Sequence, residues 1–247
     1  MLPLNSYRTI VILYGVIGLF LALLFTRLSS SVEIAHSAPA QTWFRLGLHR
    51  SRSVVLKLSA LFGLDAFAGG FVVQSLIAYW FHIRFGVEPA ALGGIFFGAN
   101  ILAGVSALAA AWVAARIGLV NTMVFTHLPS NLLLMLVPLM PNLPLAITVL
   151  FMRFSISQMD VPPRQSYTMA VVAPDERSAA AGVTGIARFV GAAISPTFAG
   201  AFLGNSVLLS APFFVAGGLK IVYDILLYCG FRAVKGAEWE APIIEKH

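Results

Sequence analysis

Residues 143–172 read LPLAITVLFMRFSISQMDVPPRQSYTMAVV, an apolar stretch long enough to cross a bilayer that nonetheless holds Arg153, Ser157, Asp160 and Arg164. Spacings of four, three and four residues set those side chains on one face of a continuous helix. A charge at membrane depth is costly unless it faces protein or a water-filled cavity, so the stretch is expected to line a path. Pro162 and Pro163 remove two backbone donors and crowd the carbonyls of Gln158 and Met159, which predicts a bend or break beside Asp160.

Outward from this stretch the chain stays apolar. Its 247 residues are 59% hydrophobic and 11% charged, outside the range of soluble domains. Seven segments approach the roughly 20 apolar residues that a spanning helix needs. They run from Ile10 to Phe25, Val54 to Phe81, Ala90 to Ala115, Leu119 to Leu139, Leu143 to Val172, Ser178 to Leu203 and Val207 to Phe231. None alternates polar and apolar as a barrel strand does. The expected architecture is an all-α membrane protein, a polytopic bundle of about seven transmembrane helices. It divides into a first helix at 1–26, a basic linker at 27–53, a six-helix bundle at 54–232 and a tail at 233–247.

Charge supplies an orientation. Arg27, Arg45, Arg50, Arg52, Lys57, Arg116, Arg177, Arg232, Lys235 and Lys246 fall on one side of a seven-span chain, and only Arg8 and Arg84 on the other. The positive-inside rule then makes the linker and C-terminus cytoplasmic and the N-terminus external. The net charge of +6 is thus a topology signal, and a nucleic-acid partner is not expected. Arg8, the first apolar run and Ala38 to Ala40 together resemble a signal peptide, but the run is long for one and the basic stretch after it resists translocation. An amphipathic helix is expected near Trp43 to Leu48. The single cysteine, Cys229, leaves no disulfide.

Depth along the spans suggests partners for the buried charges. Asp160 and Arg188 both lie near the midplane and are expected to pair. Asp65, Arg164, His127 and Asp224 form a second layer nearer the cytoplasm, and Arg153 stands alone nearer the outside. Lys220 and Asp224, four apart, are expected to bridge along one helix. His127 and Asn131 are also four apart beside Pro129, suited to proton relay or to a packed hydrogen bond. Gln74 is out of phase with Asp65 on a continuous helix. Gly94 with Gly98, and the stripe Ala181, Gly185, Arg188, Ala192, Ser195 and Ala199, predict close helix contacts. Broken, charged helices of this kind build the central sites of many secondary transporters. No Gly-rich phosphate loop, His-Glu-x-x-His or Gly-x-Ser-x-Gly is present, so an enzyme is not expected and no cofactor or metal is implied.

Arg153 followed by polar and proline residues, the turn Pro174, Asp175, Glu176, Arg177 ahead of a Gly/Ala-rich span, and Arg116, Ile117, Gly118 at an inner loop together resemble the C-terminal half of a major facilitator superfamily transporter. On that resemblance the spans correspond to helices six to twelve and the basic linker to the family's central loop. Arg153 falls where the repeat of the fourth-helix arginine motif lies. The inner-loop signature Gly-x-x-x-Asp-Arg-x-Gly is degenerate, with Ala111 and Ala115 replacing its first glycine and its acid. The resemblance implies a lipid-embedded carrier of a small organic solute, working by proton-coupled export. Arg153, Asp160, Arg164, Arg188, Asp65, His127 and Asn131 would bind the solute or couple its movement. Five helices of the family's twelve lack a counterpart, so a missing N-terminal half or a second copy is an expected partner. Two other readings stand beside this one: a seven-helix receptor or retinal protein, prompted by Lys220 in the last span, and a non-transporting fragment or regulatory subunit.

Overall fold

A computed structural model describes residues 4–27, 47–203 and 208–233, and the described residues contain helices and turns but no strand. The chain divides into two units, residues 1–43 and 44–247. The first contributes helix α1 (Leu4–Phe25). The linker residues 28–46 and the tail beyond Ala233 lie outside the described residues, as does most of the helix expected near Trp43 to Leu48; Gly47 and Leu48 are not helical.

The second unit is a bundle of α2 (Arg52–Gly70), α3 (Gln74–Phe85), α4 (Pro89–Ile117), α5 (Leu119–Leu136), α6 (Leu143–Phe154), α7 (Val161–Val171), α8 (Arg177–Leu203) and α9 (Ala211–Phe231). Among the described residues five segments are long and apolar enough to cross a bilayer: Arg52–Phe85, Pro89–Ile117, Leu119–Leu139, Pro174–Phe202 and Ala211–Phe231. The described apolar part of α1, Val11–Thr26, and α6 are shorter. Outward faces carry large apolar residues, Phe97, Ile101, Val105, Leu108 and Trp112 on α4 and Ile186, Phe189 and Val190 on α8. Such surfaces suit lipid and not water.

Local sequence sets the helix ends. Gly118, at φ 87, takes a conformation costly for other residues and turns α4 into α5. Asn142 caps α6 by accepting the Leu145 N–H at 3.1 Å. The stretch 143–172 is not one helix. Residues 155–160 form turns, and Pro162 and Pro163 occupy the first turn of α7, where their missing N–H groups cost nothing. The Oγ of Ser106 on α4 accepts the Gln158 N–H at 3.1 Å, tying down the break. The four polar residues of this stretch therefore do not share a continuous helical face. A second interruption, at Phe71 to Val73, separates α2 from α3 and removes the phase relation between Asp65 and Gln74.

The core falls into two apolar clusters. One gathers Trp80, Phe81, Phe96, Leu134, Leu150 and Phe213; the other Val55, Phe62, Met123, Tyr167, Leu227 and Phe231. On α2, α5 and α9 the polar residues lie between them.

The tightest seam joins α2 to α8. A Cβ on Gly70 would sit 2.6 Å from Ser195 Cβ, and one on Gly191 would strike the backbone of Gly63. The buried face of α8 is Ala180, Thr184, Ser195 and Ala199, with Ala187 and Gly191 between them against Gly63. The first part of the expected stripe, Ala181, Gly185, Arg188 and Ala192, is therefore one position out of register, and Arg188 points away from α2 on the exposed side. Gly98 meets Phe151, whereas a Cβ on Gly94 would meet nothing within 4 Å.

Candidate functional site

Seven polar side chains from four helices meet between the two apolar clusters. Asp65 of α2 is central: its Oδ1 lies 2.5 Å from Lys220 Nζ on α9 and 3.7 Å from His127 Nε2 on α5, and its Oδ2 lies 3.1 Å from Arg164 Nη2 on α7. The same Arg164 nitrogen pairs with Asp160, four residues earlier at the start of α7. At the other end His127 Nδ1 is 2.8 Å from Asp224 Oδ1, and Asn131 Nδ2 donates to Asp224 Oδ2 at 3.0 Å. Tyr223 sets its ring edge-on to His127, centroids 5.7 Å apart, and its buried hydroxyl has no hydrogen-bond partner. Buried ions persist only when paired and hydrogen-bonded, and every acid of this cluster is.

Two expected pairs are not formed. Asp160 pairs with Arg164 and not with Arg188, which is exposed on α8 and has no ion-pair partner among the described residues. Lys220 and Asp224 do not bridge along α9; each reaches a neighbouring helix, Lys220 to Asp65 and Asp224 to His127 and Asn131. An exposed bridge along one helix contributes only about 0.2–0.5 kcal/mol, so interhelical partners that also resolve a burial cost prevail. Of the residues assigned from sequence, Asp65, His127, Asn131, Asp160 and Arg164 come together, while Arg153 and Arg188 lie outside the cluster.

Gln74 and Asn100 likewise take no part in its ion pairs. Gln74 accepts from Asn100 Nδ2 at 3.4 Å, linking α3 and α4 through exposed amides. Arg153 has its Nε buried without a hydrogen bond and its guanidinium 5.1 Å from the Phe154 ring. Arg188 lies eleven residues into α8, about 16 Å from its start, too deep for easy escape to the membrane surface. Hydrocarbon cannot satisfy such groups, so these positions front water or further protein.

Sequence reading missed a junction at one end of the bundle. Glu176, fully buried in the turn before α8, accepts the N–H groups of His49 (2.6 Å), Arg50 (2.7 Å) and Ser51 (2.8 Å) ahead of α2. The His49 ring lies 3.1 Å from Asp175, and Ser51 Oγ accepts the Ala173 N–H at 3.0 Å. A carboxylate at the amino end of a helix was the only available signal.

The Major Facilitator Superfamily sequence profile matches residues 1–196. The chain is also 30% identical over 183 residues to the uncharacterized membrane protein YJR124C of Saccharomyces cerevisiae, an alignment covering 74% of this chain and 41% of that protein. This chain thus spans about two fifths of the relative's length. No solved structure matches. The match also sets aside the receptor and retinal reading, and Lys220, which prompted it, is engaged by Asp65. A helical bundle with membrane-length apolar helices, polar groups gathered at depth and a profile match over most of its length is an integral, multi-pass membrane protein, and the chain belongs to the Major Facilitator Superfamily.

Proposed function

We propose that the chain is the C-terminal half-bundle of a secondary transporter, equivalent to helices six to twelve, and that it moves a small organic solute bearing an anionic group by proton-coupled export. One observation carries this reading. Arg153 near the end of α6 and Arg188 within α8 have no acid in reach among the described residues, whereas all three buried acids of the cluster are already engaged. A carboxylate or phosphate on the solute would complement them, and guanidinium groups suit both. Gln74 and Asn100 add neutral hydrogen-bonding capacity.

The test is binding to the 247-residue chain in lipid nanodiscs. A panel of small carboxylates and organic phosphates should raise its Tm, as a ligand of the native state does, while amines should not. Arg153→Ala should abolish the shift with unchanged folded yield, and Arg153→Lys should keep part of it. Stabilisation by cationic solutes alone would overturn the anionic assignment. Solute counterflow in proteoliposomes separates a carrier from a non-transporting fragment or regulatory subunit.

A further inference from the structure

The buried cluster has an uneven charge count. Asp65, Asp160 and Asp224 bring three carboxylates, Arg164 and Lys220 two fixed cations, and Asn131 none. One negative charge is left over among acids that are 6%, 3% and 0% exposed. An uncompensated charge at that depth is costly, and the remaining group in contact that can take up a positive charge is the His127 ring. We propose that the cluster is a one-proton site, its proton held between His127 and Asp224, and that this is where the coupling ion binds; the coupling role rests on the transporter reading above.

Geometry places the proton. Asp65 already has Lys220 and Arg164, and Asp160 has Arg164, so Asp224 is the acid without a fixed cation. His127 Nδ1 lies 2.8 Å from Asp224 Oδ1, a separation that requires a hydrogen on one of the two atoms. Asn131 Nδ2, 3.2 Å from the same ring nitrogen, already donates to Asp224 Oδ2 at 3.0 Å. The second ring nitrogen, Nε2, faces Asp65 at 3.7 Å, so an imidazolium would lie between two carboxylates.

The groups facing the pair are Asp65 from α2, Arg164 with Asp160 from α7, Lys220 and Tyr223 from α9, and Asn131 from its own helix. The side chain of Asp224 is sealed at 0% exposure, while those of His127 and Lys220 keep 7% and 10%.

The site also lies where it can act on solute binding without touching solute. It ties α2 to α5, α7 and α9, and α2 carries α8, which bears Arg188, along the glycine seam. Losing the proton leaves the surplus negative charge uncompensated and removes the attraction of an imidazolium for Asp65 of α2, one of the ties that hold that helix.

The test needs no solute and no gradient. The chain in nanodiscs, labelled with 15N-histidine, is examined at about pH 7.5, where an unperturbed imidazole is mostly neutral. The His127 resonances, assigned by their loss in His127→Gln, should report both ring nitrogens protonated, or else a protonated-carboxyl infrared band should appear that is lost in Asp224→Asn. In Asp224→Asn two acids face two cations, so His127 should become singly protonated with no new carboxyl band.

A second arm tests the charge count by stability. His127→Gln should lower Tm, and adding Asp224→Asn should restore it, because the pair of changes removes the surplus charge. A ring that only packs and hydrogen-bonds would instead make the double variant no better than the single one, and that result overturns the proposal. So does the absence of both spectroscopic signals, or a rise in Tm on adding Na+ with His127 neutral, which would make this a metal-cation site. Failure here leaves the transporter reading standing, and failure of counterflow leaves the proton site standing.

Discussion

Arg164 reaches two of the three buried carboxylates through a single guanidinium nitrogen, so its loss strands Asp160 outright and leaves Asp65 with Lys220 and the more distant His127 ring. Removing one member of a buried pair costs roughly 3–5 kcal/mol, and Arg164→Met should show that as a lower Tm and lower folded yield. Lys220→Met should cost less, because Asp65 keeps Arg164. Arg188→Ala should leave stability within about 0.5 kcal/mol, as expected for a residue with no partner to strand. Thermal melts of the three variants in one detergent decide the order. Helix depth, counted along single spans, brought Asp65, Arg164, His127 and Asp224 to one level in the sequence. It did not show Lys220 meeting Asp65. Counted from Arg52, where α2 begins, Asp65 lies about as deep as Lys220 does from Arg232, whereas counting from Lys57 hides the match. The Asp160–Arg188 expectation failed for another reason: depth says nothing about rotation, and Arg188 faces away from the bundle.

Rotation is settled between elements. The Gly/Ala content of α8 made close packing legible, but at 100° per residue a shift of one position changes which side chains lie in the seam. Gly191 lies against the Gly63 backbone, and Gly185 has nothing within 4 Å of an added Cβ. Gly191→Ala should push α8 off α2 at a cost of about 1–3 kcal/mol. Gly185→Ala should be neutral or add up to roughly 1 kcal/mol by reducing unfolded-state freedom. Comparison of the two melts checks the assignment of the seam, and equal losses would refute it. The break at residues 155–160 was legible in kind, because paired prolines cannot continue a helix. Its extent was not, since the turn begins at Ser155, upstream of the carbonyls the prolines crowd, and is held by a hydrogen bond from another helix. The interruption at Phe71 to Val73 contains no proline and left no comparable mark.

Across the whole membrane-embedded unit, sidedness is the property that sequence and structure address by independent routes. Charge counting groups Arg50 with Arg177 and opposes Arg84. In the structure the N–H of Arg50 donates to Glu176, the neighbour of Arg177, so both lie at one end of the bundle. Arg84 lies at the far end of the segment Arg52–Phe85, about 48 Å of helix away if it ran straight and more than a hydrocarbon core is thick. Which end is cytoplasmic follows from the positive-inside rule alone. With Cys229 replaced by serine, single cysteines at positions 50 and 177 should react with a membrane-impermeant maleimide only when the cytoplasmic side is exposed. A cysteine at position 84 should react in intact cells. If all three reversed, the bundle would keep its shape and the orientation would be inverted. If positions 50 and 177 labelled from opposite sides, the Glu176 junction itself would be wrong, because a turn cannot hold a helix start across a bilayer.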